Sequence, residues 1–534
     1  MNKLTGSYYT PKELSLFVWE HVIKRFKDNS SLCILEPSCG DGIFLQVASE
    51  YQTNKGLFLD AIEIDSTALE KAKKTLSSRN GHFNANFIED DFLKIELPTK
   101  YDLIIGNPPY IGRNLLSEQQ KELCQQIHIE GGVDSKSIRN IWTAFLIKAT
   151  SLLKSTGVLA FILLGEILQV NYAEKLQSFL EKKFKFIEIL TFHELIFPAL
   201  RQDVVVIFAY KEARFSGISY KRVHNINSLD KPIEFPKRIS TIANQRIKWS
   251  NFFLTDNELD FLTNTAQKVK KVSHYCTSTP GIVTAANKFF IVSKETLNKY
   301  NLEPFCEPIL QKAEFVDKVV SINEALFEEL KKANKPCFLI NLGDKKNETL
   351  PSLVQNYLQE GIDQDIHKRY KTSQRKPWYN IPSVWIPEGV IFKRCHKFPK
   401  LLKNEAQVLF TDSAYRIRPR GEFDINSFIY SFYNSLTLVF CEINGRYYGD
   451  GVLELTPQEF RNLPIPYKSI SGEQFHTFNK AFAKSKSIEQ ILQQNDAQLL
   501  TDLGIDAPSL RRLEQIRQKL LVRRLKINPD ERDI

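Results

Sequence analysis

At 534 residues the chain is long enough for two or more domains around a large buried core. Its 43% hydrophobic and 25% charged content is that of an ordinary globular protein, and no run approaches the roughly 20 apolar residues of a membrane span. A net charge of +10 permits a polyanionic partner without demanding one.

The start, "MNKLTGSYYTPKE", lacks the apolar core of a secretory signal, so a cytoplasmic protein is expected. Eight cysteines without a CxxC pair fit reduced core residues. Nine histidines form no HxxxH or HExxH pattern, so no metal site is expected.

From the N-terminus to about residue 212, short apolar strands alternate with helices. "LCILEP" precedes the helical "GIFLQVASEY", and "GLFLDAIEID" precedes "STALEKAKKTLSS". "YDLIIGNPPY" is followed by "IWTAFLIKATSLLK", then by the strand "GVLAFILL" and the helix "YAEKLQSFLEKKF". This alternation predicts a doubly wound, mostly parallel α/β sheet. Between the strands "FIEILTF" and "DVVVIFAYK" only "HELIFPALRQ" intervenes, too short for a crossover, so the last strand is predicted antiparallel.

After residue 212 the rhythm breaks. "ARFSGISYKRVHNINSLDKPIEF" reads as a linker, which divides the chain into residues 1–235 and a mixed α+β domain over 236–534. In the second part basic and aromatic residues interleave, as in "HKRYKTSQRKPWYN", "IFKRCHKFPKLLKN" and "SAYRIRPRGEF", and a helix "SLRRLEQIRQKLLVRRLK" closes it.

Several strand ends carry chemistry. "LEPSCGDG" is a strand-to-helix turn in which Gly40 and Gly42 let backbone approach a ligand, but it has neither GxGxxG nor a phosphate-loop lysine. Its acids, Glu36 and Asp41, suit a cationic or neutral nucleoside better than a phosphate. Glu63 ends the next strand, where an acid can accept both hydroxyls of a ribose. In "IEDDFLK", Asp91 can accept from an adenine amino group while Phe92 contacts the ring. Together these describe a pocket for an adenosine carrying a sulfonium. In "IIGNPPYIG" the prolines stop sheet pairing and fix Asn107 and Tyr110, an amide and a ring able to hold a planar polar substrate.

In this order of motifs the chain resembles the gamma group of S-adenosylmethionine-dependent N6-adenine DNA methyltransferases. "TGSYYTP" is similar to that family's N-terminal cofactor segment and brings in Thr10. "LEPSCGDG" resembles its cofactor loop, which adds Pro37, Ser38, Cys39 and Gly40 to Glu36 and Asp41. "EID", "DDF" and "NPPY" resemble its ribose acid, adenine contact and catalytic loop, with Asn107 also counted beside the cofactor. "FPALRQDVVVIFAYK" resembles the segment supplying a second aromatic, Phe197, and "GIVTAANKFFIV" and "RYYGDGVLELTPQEFRNLPIP" resemble parts of the recognition domain.

The resemblance implies a Rossmann-like catalytic domain over 1–235, a DNA target-recognition domain over 236–534, S-adenosylmethionine as cofactor, and double-stranded DNA as partner. It also implies the modification enzyme of a restriction–modification system, acting as a monomer beside a separate endonuclease. An adenine amino group is a poor nucleophile because its lone pair is delocalised. The Asn107 side-chain oxygen and the Pro108 carbonyl would accept its two N–H bonds, with Pro108 and Pro109 holding them still. Tyr110 and Phe197 would stack on the flipped base.

Two rivals use the same residues: an NPPY enzyme acting on RNA or a protein glutamine, and a DNA-specificity protein without catalysis. The cofactor motif begins within ten residues of Met1, so no fused N-terminal nuclease is expected. Pro336-Cys337 matches half of the Pro-Cys-Gln loop of cytosine-C5 methyltransferases, but it continues as "FLI" and reads as a core cysteine.

Overall fold

Apolar runs that bury both faces require helices on both sides, and the first half of the chain supplies them. The computed structural model describes residues 9–26, 31–51, 56–77, 83–98, 100–135, 138–169, 173–200, 202–236, 249–316, 319–448, 451–485 and 487–526. Thr5 to Tyr8 of "TGSYYTP", Arg201 of "FPALRQ" and residues 449–450 of "RYYGDG" lie outside them. The chain divides into two units, Met1–Asp256 with Tyr448–Asp450, and Asn257–Tyr447 with Gly451–Ile534.

The first unit contains α1 (Lys12–Ile23), β1 (Ser31–Glu36), α2 (Ile43–Glu50), β2 (Gly56–Glu63), α3 (Ser66–Ser77), β3 (Phe83–Glu89) and β4 (Tyr101–Gly106). It continues through α4 (Glu118–Glu130), α5 (Trp142–Leu152), β5 (Leu153–Leu164), α6 (Ala173–Lys183), β6 (Phe186–Phe192), β7 (Val204–Tyr210) and β8 (Gly217–Val223). The strands form one sheet in the order β3-β2-β1-β4-β5-β7-β6-β8. Strands β1 to β5 pair in parallel, and β7 runs antiparallel to both β5 and β6, as the short connection requires. Every residue of β4 and β7 is buried. This is a doubly wound α/β fold with one antiparallel strand, β7, inserted between β5 and β6. The order reverses between β1 and β4, where chain leaves the sheet in opposite directions and opens a crevice at the strands' carboxyl ends.

The predicted linker needs correction. Gly217–Val223 is an edge strand paired in parallel with β6, with Ile218, Ser219 and Tyr220 buried, and Ile226–Asp230 forms a short 3₁₀ turn. Lys221 and Arg222 gave the segment a polar composition, which an edge strand tolerates because one side of it is unpaired.

The second unit is mixed α+β. Cys276–Pro280, Ala414–Pro419, Gly389–Phe392, Leu401–Asn404 and Ser321–Ile322 form a five-stranded sheet in that order. Ile291–Val292, Phe338–Ile340, Cys306–Leu310 and Leu409–Phe410 form a second, of four strands. Helices follow, the last being Ala507–Leu525.

Many basic residues of this unit hold its own backbone. Arg375 donates to Val283 O (2.8 Å) and Thr284 O (3.0 Å), and Arg369 donates to Ala285 O (3.4 Å). Buried Arg416 donates to Pro280 O and to Ser383. In the terminal helix, buried Arg524 is bidentate to Glu442 (2.8 Å each) and also donates to His396 O. Leaving a buried cation without its partners would be strongly destabilising, so Arg416 and Arg524 are structural charges. Lys371, Lys376 and Tyr370 stay exposed, Tyr370 at 78%. Among the described residues no helix is long and apolar enough to cross a membrane.

Candidate active site

The crevice at the carboxyl ends of β1, β2, β3 and β4 holds a cavity of about 290 Å³. Thr10, Glu36, Pro37, Ser38, Cys39, Gly40, Asp41, Glu63, Asp91, Phe92, Asn107 and Pro109 all line it. Pro108, Tyr110 and Phe197 do not, and the Tyr110 and Phe197 side chains are buried. The charged lining residues are all acids: Glu36, Asp41, Glu63, Asp65, Asp90 and Asp91. Such a lining repels phosphate and favours a cation.

The loop after β1 is shaped by its neighbours. Cys39 N donates to Ile62 O (2.9 Å), which ties the turn to the end of β2. Gly42 has φ +86°, and a Cβ there would lie 2.9 Å from Ala72 Cβ, so only glycine lets α2 start against α3. Glu63 accepts three backbone N–H bonds, from Gly40 (2.8 Å), Ile64 (2.9 Å) and Asp65 (3.0 Å). The expected ribose acid is therefore also the clasp of the glycine turn.

Glu36 is 1% exposed, and among the described residues its Oε2 has no hydrogen-bond partner. Burial, then the charges of Glu63 and Asp41, push its carboxyl well above the usual carboxylate range. Burial, followed by the charge of Glu36, likewise keeps the Cys39 thiol protonated, so Cys39 serves as lining and not as a nucleophile.

Beyond β3, the turn at Asp91 is braced by Leu93 N donating to Asp91 Oδ1 (2.9 Å). Phe92 packs on Phe145 of α5, ring centroids 5.1 Å apart. Lys148 of α5 donates to Leu93 O (3.1 Å) and Ile95 O (2.6 Å) and lies over the Phe92 ring. It fixes the turn that presents Asp91 and Phe92.

The loop after β4 is locked at its asparagine. The Tyr110 hydroxyl, which has a single proton to donate, lies within hydrogen-bonding distance of two acceptors, Asn107 Oδ1 (2.5 Å) and Ile162 O of β5 (3.0 Å). Asn107 Nδ2 donates to Thr10 Oγ1 (3.2 Å), and Ser38 Oγ donates to Asn107 O (3.3 Å). Both ends of the amide are thus oriented, the oxygen by Tyr110 of the same loop and the nitrogen by Thr10, far away in sequence.

Sequence reasoning passed over Tyr9, Ile64, Ile111, Gln120, Ile141 and Phe145, which also line the cavity. Ile64, 66% exposed directly after Glu63, carried a signal as an apolar residue stranded at a strand end. Lys148 carried none, since its partners are more than fifty residues away.

Comparison with known proteins agrees with this geometry. Residues 18–197 match the family model "Eco57I restriction-modification methylase", and residues 246–500 match "Type II methyltransferase M.Eco57I, C-terminal domain". The chain is 25% identical over 501 residues to type II methyltransferase M.AccI of Acinetobacter calcoaceticus, covering 88% of each chain. It is 23% identical to M.BanIII of Aneurinibacillus aneurinilyticus, covering 79% of this chain and 82% of the relative. The type IIL restriction-modification enzyme MmeI, solved with DNA, shares the fold with a TM-score of 0.62 at 14% identity, over 97% of this chain and 79% of that one. With a methylase model on the first half, its C-terminal partner on the second and relatives aligned over nearly the full length, the chain belongs to the type II restriction–modification methyltransferases, whose methyl donor is S-adenosylmethionine.

Proposed function

We propose that the protein methylates N6 of an adenine flipped out of duplex DNA, as the modification enzyme of a restriction system whose endonuclease is a separate chain. The observation that carries this reading is the Asn107 amide, held at both ends beside a cavity whose charged residues are all acids. The unpartnered Glu36 Oε2 and, among the described residues, the absence of a basic lining residue fit a cofactor with an ammonium and a sulfonium. Bound S-adenosylmethionine supplies an electrophilic methyl group.

In this reading Glu36 holds the ammonium, Glu63 the ribose hydroxyls, and Asp91 and Phe92 the adenine ring system. Asn107 Oδ1 and the Pro108 carbonyl accept from the target amine, which localises the nitrogen lone pair for attack. Tyr110 aims the Asn107 oxygen, and Phe197 closes the base pocket. The unit Met1–Asp256 would carry the chemistry and the second unit would choose the DNA sequence. There the exposed Lys371 and Lys376 would contact phosphates, with specificity left to groups that reach base edges.

The test is incubation with labelled cofactor and plasmid DNA, followed by mapping of the modified base. Label in N6-methyladenine at one short sequence is expected. Label in RNA or protein alone, or in cytosine, would overturn the reading.

Glu63→Ala is expected to weaken cofactor binding about 10- to 150-fold, the worth of a lost hydrogen bond to a charged group. It would leave DNA affinity unchanged. Calorimetry with S-adenosylmethionine measures this, and unchanged cofactor affinity would reduce Glu63 to a clasp for the Gly40 turn.

A further inference from the structure

The catalytic loop continues into a short turn whose apolar side chain has no place in the core. Leu115 is 61% exposed, while its neighbour Leu116 is buried at 4%. A single exposed leucine is ordinary on a protein surface. Three observations separate this one from that background.

The backbone that carries it is fixed on both sides. Gly112 bridges to Asn140, Arg113 N donates to Arg139 O (2.9 Å), and Ile141 N donates to Ile111 O (3.0 Å). Leu115 N closes the 3₁₀ turn onto Gly112 O (2.9 Å), and Ser117 caps α4 directly afterwards.

Its place in the chain is at the active site. The segment leaves the cavity lining at Ile111 and returns to it at Gln120, with Leu115 between. Its neighbours are cationic: Arg113 is on the same turn and exposed Arg139 is on the strand fragment bridged to it. Neither guanidinium forms an ion pair within 4 Å among the described residues.

A rigid turn that presents an apolar side chain between two cations suits a stacked polyanion opened at one step. We propose that Leu115 is the wedge that enters the base stack where the target base leaves it, with Arg113 and Arg139 on the flanking phosphates. This rests on the proposed duplex-DNA reaction. Apolar wedges elsewhere, leucine among them, insert between base steps and partly unstack them. The cost is least for a base that has already lost its partner.

The experiment compares the full-length parent with Leu115→Ser and Leu115→Met on two duplexes carrying the mapped recognition sequence. One is fully paired and the other has an abasic site opposite the target base. On the paired duplex Leu115→Ser is expected to lose about tenfold or more in kcat/KM, while Leu115→Met stays within about threefold of the parent. On the abasic duplex the serine variant should recover to within about threefold. Equal loss on both duplexes, or no loss on the paired one, overturns the wedge with the methyltransferase reading intact. A parent that methylates neither duplex overturns both.

Discussion

Replacing Asn107 with alanine is expected to lower methyl transfer about 10²- to 10³-fold, the usual effect of removing one placed acceptor of a transition state. Cofactor affinity should stay within a few-fold of the parent, because the acids at the ends of β1, β2 and β3 remain. The loop itself should keep its course. Pro108 and Pro109 still restrict it, and Tyr110 Oη still has Ile162 O as partner. Asn107→Asp separates the acceptor role from packing. It keeps a side-chain oxygen facing Tyr110 and loses the donor to Thr10, whose hydroxyl can turn to donate instead. Its loss is expected to be smaller than that of alanine. Single-turnover methylation with saturating cofactor measures both variants. An alanine variant within a few-fold of the parent would remove Asn107 from the chemistry.

How much of this was legible in the sequence differs from element to element. Strands β4, β5 and β7 announce themselves because strands covered on both faces are mostly apolar, and β1, β2 and β6 by apolar residues that outnumber the polar ones among them. The antiparallel β7 follows from ten intervening residues that cannot form a crossover. Edge strands need no such run, and β8, with Lys221 and Arg222 in it, passed for a linker. Helix α1 was not singled out either, although Leu14, Val18 and Val22 recur at helical spacing and are all buried.

For the site, the residue types at strand ends carried their own chemical meaning, so the acids and the asparagine could be named in advance. Their partners could not. That Glu63 clasps the glycine turn, that Thr10 meets Asn107, or that Ile162 O meets the Tyr110 hydroxyl beside it, depends on contacts between distant segments. The arginines of the second unit make the same point. Composition shows Arg375, Arg416 and Arg524 as charges available to DNA, whereas each is engaged with backbone carbonyls or a buried glutamate. A guanidinium has five donors, and carbonyl oxygens satisfy them as readily as phosphates do.

Glu36→Gln is expected to weaken S-adenosylmethionine binding about 10- to 100-fold and, at the same time, to make the protein more stable at neutral and alkaline pH. Both effects come from one buried oxygen. Without a cation beside it, the Glu36 carboxyl keeps its proton well above the usual carboxylate range, chiefly through burial and then through Glu63 and Asp41. An acid whose pKa is higher in the folded chain than in the unfolded one favours folding while protonated. That contribution is present below the unfolded pKa and is lost as pH rises through the folded one. The parent therefore gives up stability over that window, and glutamine, which cannot ionise, does not. An ammonium placed against Glu36 works in the opposite direction, pulling the pKa down and expelling the proton. Cofactor binding should thus release a proton at pH values between the two pKa values of Glu36, and affinity should rise with pH across the same interval. Calorimetry in two buffers of different ionisation enthalpy measures the proton, and thermal unfolding against pH measures the stability. The glutamine variant should show no proton release and a flatter stability profile. If it binds the cofactor as tightly as the parent and releases the same proton, the ammonium is held elsewhere and Glu36 has no part in binding.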